Sequence, residues 1–433
     1  MRRSTLSAFI ATPALALSMA GIALSPTVGA SNPDLGPEAT AAVDFQAPNG
    51  GVDDSPVFVV AAADDQPQLG EVAARVDTLR DASGQEVVIS RTTADKVAEL
   101  HEAPAGERGA GFRTFPTWAA AEEFIASDRS AEATTQALAL PGIDNQATVE
   151  PWLDQVQESR IRQTISDLST NWPNRYYASS HGKAAAAHVH DQWSGIAAGR
   201  SDVTVAYDES CGSSCGVQPN VTMTVQGTEN PDEVVVVGAH FDSISNSGSG
   251  DSMDAPGADD NASATATVTE VAQVALANGW KPQRTVVFAA YAAEEVGLRG
   301  SAAMANSYAS QGKDVVGVLN LDMTNYDGGA YDMSLMQDNT NADLNTFSRE
   351  VFDAYLAPQG MTMNTMTCGY GCSDHASWTS AGYPASMVSE SELFPHLHTP
   401  NDTLDATGGT ADHSVKFAKF GLAFVGELAK TGA

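Results

Sequence analysis

Two short apolar runs, each followed within a few residues by ionisable side chains, constrain the fold of this chain most strongly. Residues 234–237 (Val-Val-Val-Val) and 285–290 (Thr-Val-Val-Phe-Ala-Ala) predict strands buried on both faces, because they lack the alternation of a half-exposed strand. Between them, the Ala-, Thr- and Val-rich segment 261–278 precedes Gly279 and predicts a crossover helix. We therefore expect an α/β fold in which a mixed, mostly parallel central sheet is sandwiched by helices.

Five ionisable residues follow these strands or open the helix between them: His240, Asp242, Asp260, Glu294 and Glu295. In open α/β sheets, ligands gather at the carboxyl ends of the strands. Histidine nitrogens and carboxylate oxygens are donors that zinc prefers, and a carboxylate can bridge two ions. The sequence therefore predicts a metal site at this edge of the sheet.

Two further candidate ligands lie later in the chain. Asp322 follows the apolar run 315–321, and His398 begins the segment His-Thr-Pro-Asn-Asp-Thr. A single aspartate at a helix start is usually an N-cap, and a single histidine usually has a structural role. The prediction of a metal site therefore depends on the joint pattern rather than on any one residue.

The immediate neighbours of the candidate ligands suggest distinct roles. Asp242 stands two residues after His240, and positions i and i+2 of an extended chain share a face, so Asp242 can hold the imidazole N–H. Glu294 and Glu295 are adjacent and face opposite ways if the chain is extended. One of them can therefore bind metal while the other acts as a general base.

Charge and the amino terminus bound the class of protein. The 433 residues carry a formal net charge of −32, which argues against a nucleic-acid partner because no basic surface neutralises phosphates. Residues 1–30 resemble a secretory signal, with Arg2 and Arg3, an apolar stretch over 9–24 and small residues ending at Ala30. A membrane anchor is the alternative, but the stretch is interrupted and short for a bilayer span. We expect secretion with cleavage near Ala30, and no membrane association.

Four cysteines form two close pairs, Cys211 with Cys215 and Cys368 with Cys372. In an exported protein such pairs are candidate disulfides. A zinc ribbon would also use two pairs, but with two intervening residues where this chain has three.

Residues 31–140 differ in character from the rest of the chain. A Pro-, Gly- and Asp-rich start precedes short strand-like and helix-like runs without a cluster of ligands. We interpret this region as a small α+β propeptide that assists folding or covers the site, with an accessory domain as the alternative. Residues 130–140 predict a linker, and the catalytic domain is expected to span 141–433, starting with a helical pattern over 149–168.

Four stretches contain the most specific motifs. They are 255–263 (Ala-Pro-Gly-Ala-Asp-Asp-Asn-Ala-Ser), 290–301 (Ala-Tyr-Ala-Ala-Glu-Glu-Val-Gly-Leu-Arg-Gly-Ser), 321–326 (Leu-Asp-Met-Thr-Asn-Tyr) and 368–375 (Cys-Gly-Tyr-Gly-Cys-Ser-Asp-His). In order and spacing they resemble the secreted bacterial leucyl aminopeptidases, which are co-catalytic di-zinc exopeptidases. The resemblance runs from Gln146 to Leu428. It implies a zinc-exopeptidase fold that hydrolyses amino-terminal residues, with leucine or another hydrophobic residue preferred.

The same resemblance implies two zinc ions and assigns their ligands. One ion would take His240 and Asp322 and the other Glu295 and His398, with Asp260 bridging. Asp260 matches the family's ligand, rather than Asp259, because it directly precedes the Asn-Ala-Ser step. The peptide bond after Asp260 is expected to be cis.

Catalytic roles also follow from the resemblance. Glu294 would be the general base, Asp242 would orient His240, and Tyr370 would hydrogen-bond the substrate carbonyl or gem-diolate. His396 competes with His398 as a ligand, and the Thr-x-x-Asp that follows favours His398.

The substrate pocket is expected to be apolar. Met323, Cys368 and Cys372 match pocket-forming positions of the family, and Leu397 adds an apolar side chain. The segment 387–397 departs from the family pattern, because it is shorter and lacks an aromatic residue at the position where the family has one, although Phe394 is present.

The expected partners are peptides or proteins with a free amino terminus, and the chain's own propeptide as an intramolecular chaperone or inhibitor. A monomer is expected. One alternative is a non-catalytic binding module of the same fold, but all five ligands and Glu294 are present. Another is a carboxypeptidase or a single-zinc cyclotransferase. Binding a free carboxylate would need a basic pocket group, and only Arg299 lies near the motifs.

Overall fold

The computed structural model describes residues 55–63, 70, 72–81, 84–101, 111–369 and 371–430. All of these residues belong to one compact unit that extends from Thr40 to Ala433. The predicted signal segment, residues 1–30, lies outside the described residues.

An eight-stranded sheet forms the centre of the catalytic part, with strand order β11-β10-β12-β9-β7-β8-β6-β5. Its strands are β5 (Val203–Asp208), β6 (Asn220–Val225), β7 (Asn230–His240), β8 (Arg284–Tyr291), β9 (Asp314–Asp322), β10 (Met333–Met336), β11 (Met363–Met366) and β12 (Ala385–Ser389). The pairs β7/β8, β7/β9, β9/β12 and β10/β11 are parallel, whereas β5/β6, β6/β8 and β10/β12 are antiparallel. The predicted mixed, mostly parallel sheet is confirmed.

Both faces of the central strands are buried, as the uninterrupted valine run predicts. Along β7, Val235 and Val237 belong to the main apolar cluster, whereas Val234 and Val236 point into a second cluster on the opposite face. Helices therefore cover the sheet on both sides.

In the described part of the chain, ten helices surround the sheets. They are α1 (Trp118–Ser127), α2 (Ser130–Thr135), α3 (Gln146–Leu153), α4 (Glu158–Thr170), α5 (Ser180–Ile196), α6 (Ala264–Ala277), α7 (Arg299–Ser310), α8 (Ala342–Tyr355), α9 (His375–Ser380) and α10 (Asp412–Leu428), and short 3-10 turns include Ala94–His101. Among the described residues, none of the helices combines the length and the apolar character that crossing a bilayer requires. The crossover helix α6 and the last helix α10 pack on each other and fill the main cluster.

The region interpreted as a propeptide forms its own four-stranded antiparallel sheet, with order β2-β3-β1-β4. Its strands are β1 (Pro56–Ala62), β2 (Ala74–Arg80), β3 (Glu86–Thr93) and β4 (Phe112–Phe115). One face of β1 packs on α1 through Phe58, while Val57 and Val59 on the other face join the main apolar cluster of the catalytic part. The α+β character expected from the sequence is present.

Three local predictions need correction. Residues 130–140 were expected to be a linker, but they begin with α2, which the Asn341 amide holds by donating to the Ala133 and Gln136 carbonyls at 2.6 and 2.9 Å. The predicted helix 149–168 is two helices, α3 and α4, because the Glu270 carboxylate accepts the Gln157 N–H at 2.8 Å and starts α4 there. The crossover helix begins late, since the π-helical turn Ala258–Ser263 precedes it.

Candidate metal centre

The predicted ligands converge at the carboxyl ends of three neighbouring strands. His240 is the last residue of β7, Asp322 is the last residue of β9, and Glu294 and Glu295 follow the end of β8. All four side chains are buried. This placement follows from the parallel order β9-β7-β8, which brings the three strand ends to one edge.

Asp260 occupies the middle of the cluster and faces both histidines. Its Oδ1 lies 3.1 Å from His240 Nε2, and its Oδ2 lies 2.9 Å from His398 Nε2. The peptide bond from Asp260 to Asn261 is cis, as the family resemblance implies. One carboxylate therefore presents one oxygen to each of two sets of ligands.

The ligand atoms form two groups that share Asp260, although Glu295 also lies within 4.8 Å of His240. On one side, His240 Nε2 lies 3.5 Å from Asp322 Oδ1 and 3.8 Å from Glu294 Oε2. On the other side, His398 Nε2 lies 3.0 Å from Glu295 Oε2. His398 comes from the loop after β12, has φ of +54°, and is 18% exposed at its side chain. It therefore marks the more open side of the cluster.

The geometry of these residues fits metal ions. Donor atoms about 2.0–2.2 Å from a tetrahedral zinc lie about 3.3–3.6 Å from one another. The 3.5 Å between His240 Nε2 and Asp322 Oδ1 falls in this range, whereas the other separations, 2.9–3.1 Å, are hydrogen-bond distances that would widen slightly around an ion. Asp322 Oδ1 is buried and accepts no hydrogen bond from any residue that the structure describes. The cluster also holds four carboxyl groups against two imidazoles, so divalent cations would neutralise an excess of buried negative charge.

Without a cation, these groups perturb one another strongly. Burial raises the pKa of Glu294 well above its usual range, and burial together with Asp260 raises the pKa of Glu295 to about 7. Burial would lower the pKa of His398, but Glu295 and Asp260 raise it to about 10. For Asp260, hydrogen bonds from His240 and His398 outweigh burial and lower the pKa. A cluster so dependent on shared protons is poised to exchange them for cations.

Asp242 has a wider role than orienting His240. Its Oδ1 lies 3.4 Å from His240 Nδ1, a long contact. Its better hydrogen bonds come from the backbone, because Glu294 N–H donates to Oδ1 at 3.0 Å and Glu295 N–H donates to Oδ2 at 3.2 Å. Asp242 therefore holds the turn that contains the expected base and one expected ligand.

The structure reveals supporting residues that the sequence interpretation missed. Asp402 accepts the backbone N–H groups of Asp259 and Asp260 at 2.8 and 3.0 Å. Ser373 Oγ donates to Asp322 Oδ2 at 2.6 Å. The Thr-x-x-Asp motif after His398 drew attention to Asp402. No local pattern, however, could predict that Asp402 contacts Asp259 and Asp260, which are far away in sequence.

The competing histidine does not reach the cluster. The ring of His396 packs edge-on against Phe394, with centroids 5.5 Å apart, and it is His398 that contacts Asp260 and Glu295. This arrangement agrees with the choice of His398 over His396.

The expected pocket residues lie next to the cluster along the chain. Met323 directly follows Asp322, and Leu397 directly precedes His398. Both predicted disulfides are present, Cys211–Cys215 and Cys368–Cys372, and the second leads into Ser373. Tyr370, the predicted carbonyl-binding residue, lies outside the described residues.

Comparisons with known proteins show which family the chain resembles. Residues 220–420 match peptidase family M28. The chain is 38% identical to "Leucine aminopeptidase 1" of Arthroderma otae over 301 residues. The aligned region covers 65% of this chain and 77% of that protein. It is 37% identical over 325 residues to "Probable leucine aminopeptidase 1" of Trichophyton verrucosum, and this alignment covers 70% of this chain and 82% of that protein. The likeness is therefore not confined to bacterial enzymes.

Solved structures give the same fold. LapB from Legionella pneumophila superposes with a TM-score of 0.71 at 25% identity, over 87% of this chain and all of that one. The LapA aminopeptidase of the same organism superposes with a TM-score of 0.72 at 23% identity, over 87% of this chain and 99% of that one. This coverage exceeds what residues 141–433 alone could supply, so the structural likeness extends into the amino-terminal sheet. Taken with the sequence relatives, it shows that the chain belongs to peptidase family M28 and is a metallo-aminopeptidase.

Proposed function

We propose that this enzyme uses two zinc ions to hydrolyse the first peptide bond of substrates with a free amino terminus. The observation that best supports the proposal is the placement of Asp260, whose two carboxylate oxygens face His240 and His398 separately. A carboxylate so placed is suited to bridge two ions.

The five expected ligands divide between the ions as two pairs and a bridge. His240 with Asp322 would hold one ion, Glu295 with His398 would hold the other, and Asp260 would be shared. When bound, the zinc ions would polarise the scissile carbonyl and make water a better nucleophile at neutral pH.

Glu294 is the residue proposed to move the proton. Its carboxylate is buried, lies 3.8 Å from His240 Nε2, and has a pKa raised by burial. A base of raised pKa can take a proton from the attacking water and return it to the leaving amine. Asp242 fixes the backbone of Glu294 and thus the direction of its carboxylate.

Selection of the substrate would come from the wall beside the ligands. Cys368 and Cys372 pack with methionines in a small apolar cluster, and Met323 and Leu397 adjoin the ligands Asp322 and His398 in the chain. We expect these residues to offer an apolar surface suited to leucine or another hydrophobic amino-terminal side chain. The relatives named as leucine aminopeptidases support this preference. Tyr370 remains the residue proposed to hydrogen-bond the substrate carbonyl.

The proposal includes secretion and an amino-terminal propeptide that acts as a folding aid or inhibitor. In support, Arg113 on β4 donates to Ser377 Oγ at 2.6 Å, and Thr114 Oγ1 donates to the Val296 carbonyl just after the Glu294–Glu295 turn. The amino-terminal sheet thus braces a segment next to the expected base. The signal segment 1–30 would direct export, and the enzyme would act as a monomer.

Other reactions on this fold fit less well. A carboxypeptidase would need a free basic group to bind a carboxylate, and the guanidinium of Arg299 donates to Thr114 and to the Ser214 carbonyl. It also stacks over Tyr177, with 5.0 Å to the ring centroid. A binding module without catalysis would have no reason to keep the buried Glu294 beside a complete ligand set.

The test compares release of p-nitroaniline from leucine-p-nitroanilide and from its N-acetylated form by the processed protein. We expect cleavage of the free-amine substrate alone, lost on chelation and restored by zinc. Cleavage of both substrates, or activity that survives chelation, would contradict the proposal. A panel of other amino-terminal residues would then separate a different preference from a loss of catalysis.

A further inference from the structure

Four consecutive backbone N–H groups at the end of β8 each donate to a buried side chain. The N–H of Ala292 donates to Asn220 Oδ1 at 2.9 Å, and that of Ala293 donates to Gln218 Oε1 at 3.2 Å. The next two, of Glu294 and Glu295, donate to Asp242 as described above. We call residues 292–295 the catalytic turn. All four N–H groups therefore donate to side chains rather than to the backbone of a neighbouring strand or helical turn.

The turn needs such support because of its conformation. Ala293 has φ of +52°, in the left-handed region that residues with a Cβ seldom adopt. A buried N–H without an acceptor is costly, so each acceptor side chain helps to define the path of this backbone. Asn220 and Gln218 are themselves almost fully buried, at 0% and 1% exposure, so water cannot readily replace them.

The far ends of both amides are anchored to other parts of the fold. Gln218 Nε2 donates to the Arg175 carbonyl at 2.9 Å. Asn220 Nδ2 donates to Asp208 Oδ2 and to the Gly300 carbonyl, both at 3.0 Å. Each amide therefore uses its oxygen for the catalytic turn and its nitrogen for a fixed neighbour, which sets its orientation.

The segment that supplies these amides is itself closed by a disulfide. The Cys211–Cys215 bridge spans the loop before β6, and the Gln218 N–H donates to the Cys215 carbonyl at 3.0 Å. Cys215 Sγ also lies 4.0 Å from the Ala292 carbonyl oxygen. The loop and the catalytic turn therefore form one packed unit.

We propose that Gln218 and Asn220 are positioning residues for catalysis, which set the place of Glu294 and Glu295 by holding the backbone just before them. This inference rests on the proposed roles of Glu294 as base and Glu295 as ligand. Neither amide is an expected metal ligand, and both would act through the catalytic turn. Their loss should thus lower turnover and metal affinity more than substrate binding.

The first test replaces Gln218 with methionine, which keeps the length of the side chain and removes the acceptor. The matched control is Gln226→Met, because Gln226 is exposed and, among the residues that the structure describes, its side chain donates to Thr285 Oγ1 alone, at 3.3 Å. We expect kcat to fall about 10–100-fold in Gln218→Met with KM within about twofold, the range seen when supports of ligands are removed. The control should match the wild type. Equal behaviour of the two variants would overturn the proposal.

A double-mutant cycle separates positioning from a general loss of stability. In the Glu294→Gln background there is no base to misplace, so at saturating zinc adding Gln218→Met should lower the residual kcat by less than about threefold. If the two substitutions reduce kcat independently, Gln218 does not act through Glu294 and the proposal fails. Should Gln218→Met not fold, Asn220→Ala is taken through the same cycle, with the same expectation.

Zinc affinity supplies a readout that does not need turnover. Competition with a chromophoric chelator should show about tenfold weaker zinc binding in Gln218→Met than in Gln226→Met, because Glu295 shares the displaced turn. Unchanged zinc affinity together with unchanged kcat would overturn the inference. A wild type that binds zinc but cleaves no free-amine substrate would instead refute the proposed function, and the competition experiment would still decide the role of Gln218.

Discussion

The two acidic pairs of the site, Asp259–Asp260 and Glu294–Glu295, have the same backbone support and different uses. Asp402 accepts both N–H groups of the first pair, and Asp242 accepts both N–H groups of the second. In each pair the second residue faces His398, at 2.9 Å from Asp260 Oδ2 and 3.0 Å from Glu295 Oε2. The two pairs therefore share the same arrangement of backbone hydrogen bonds.

The first residues of the pairs differ. The Asp259 carboxylate turns away from the cluster and accepts the Asn325 N–H at 2.9 Å, whereas Glu294 points toward His240. Burial raises the pKa of both groups well above their usual range. A raised pKa is therefore shared by a structural carboxyl group and the expected base. Direction relative to His240, rather than acidity, distinguishes them.

The largest expected effect separates Asp260 from Asp259. Asp260→Asn removes one of the two charged oxygens that face the histidines, so both ions should bind far more weakly and kcat should fall by about 10⁴ or more at limiting zinc. Asp259→Asn should keep its zinc and lose less than about tenfold in kcat. Metal analysis and steady-state kinetics check both variants, and similar losses in the two would contradict the distinction.

Within the second pair, Glu294→Gln should separate proton transfer from metal binding. We expect kcat to fall about 10²–10⁴-fold, because general acid–base catalysis by one residue contributes an effect of that size. Zinc content should equal that of the wild type, and KM should change by less than about threefold. A Glu294→Gln protein that loses zinc would show that this carboxylate is a ligand.

The two supporting aspartates should differ in a finer way. Asp402→Asn loosens Asp259 and Asp260, of which Asp260 alone is an expected ligand. Zinc affinity should therefore fall about 10–100-fold while kcat at saturating zinc stays within about threefold. Asp242→Asn loosens the expected base Glu294 together with the expected ligand Glu295. Both zinc affinity and kcat at saturating zinc should therefore fall. Chelator competition and kcat at saturating zinc distinguish the two cases. Identical profiles would mean that the two supports are not specialised.

The smallest expected effect concerns the metal-free protein and pH. The folded-state pKa of His398 is raised to about 10 from an ordinary 6.5, so its contribution to stability is fully present below pH 6.5 and is lost as the pH rises through 10. Glu295, raised to about 7 from 4.5, loses its contribution as the pH rises through 7. Thermal melts of the chelated protein should therefore show Tm falling by about 5–10 °C between pH 6 and 10. A His398→Ala variant should show a smaller fall, and a rise in Tm over this range would contradict the assignment.

The ligands at the ends of strands could be predicted from the sequence, because an apolar run followed by an ionisable residue marks each of them. His240 and Asp322 end apolar runs, and the carboxyl ends of parallel strands meet at one edge. The division of ligands between two ions, and the choice of Asp260 over Asp259, came from the family resemblance. His398 lies in an irregular loop, where no periodicity predicts its direction.

The supporting residues could not be predicted in this way. Asp402, Gln218 and Asn220 act through backbone N–H groups that are 72 to 143 residues away in sequence. Such contacts depend on the finished fold rather than on local pattern. The same reason explains the broken helix before α4, where Glu270 captures the Gln157 N–H from 113 residues away.

The central claim is that this site holds two zinc ions bridged by Asp260. Anomalous diffraction at the zinc edge from crystals of the zinc-loaded enzyme tests it most directly. Two peaks about 3.5–4 Å apart, one beside His240 and Asp322 and the other beside Glu295 and His398, are the predicted result. A single peak at full zinc occupancy, or two peaks that Asp260 does not join, would contradict it.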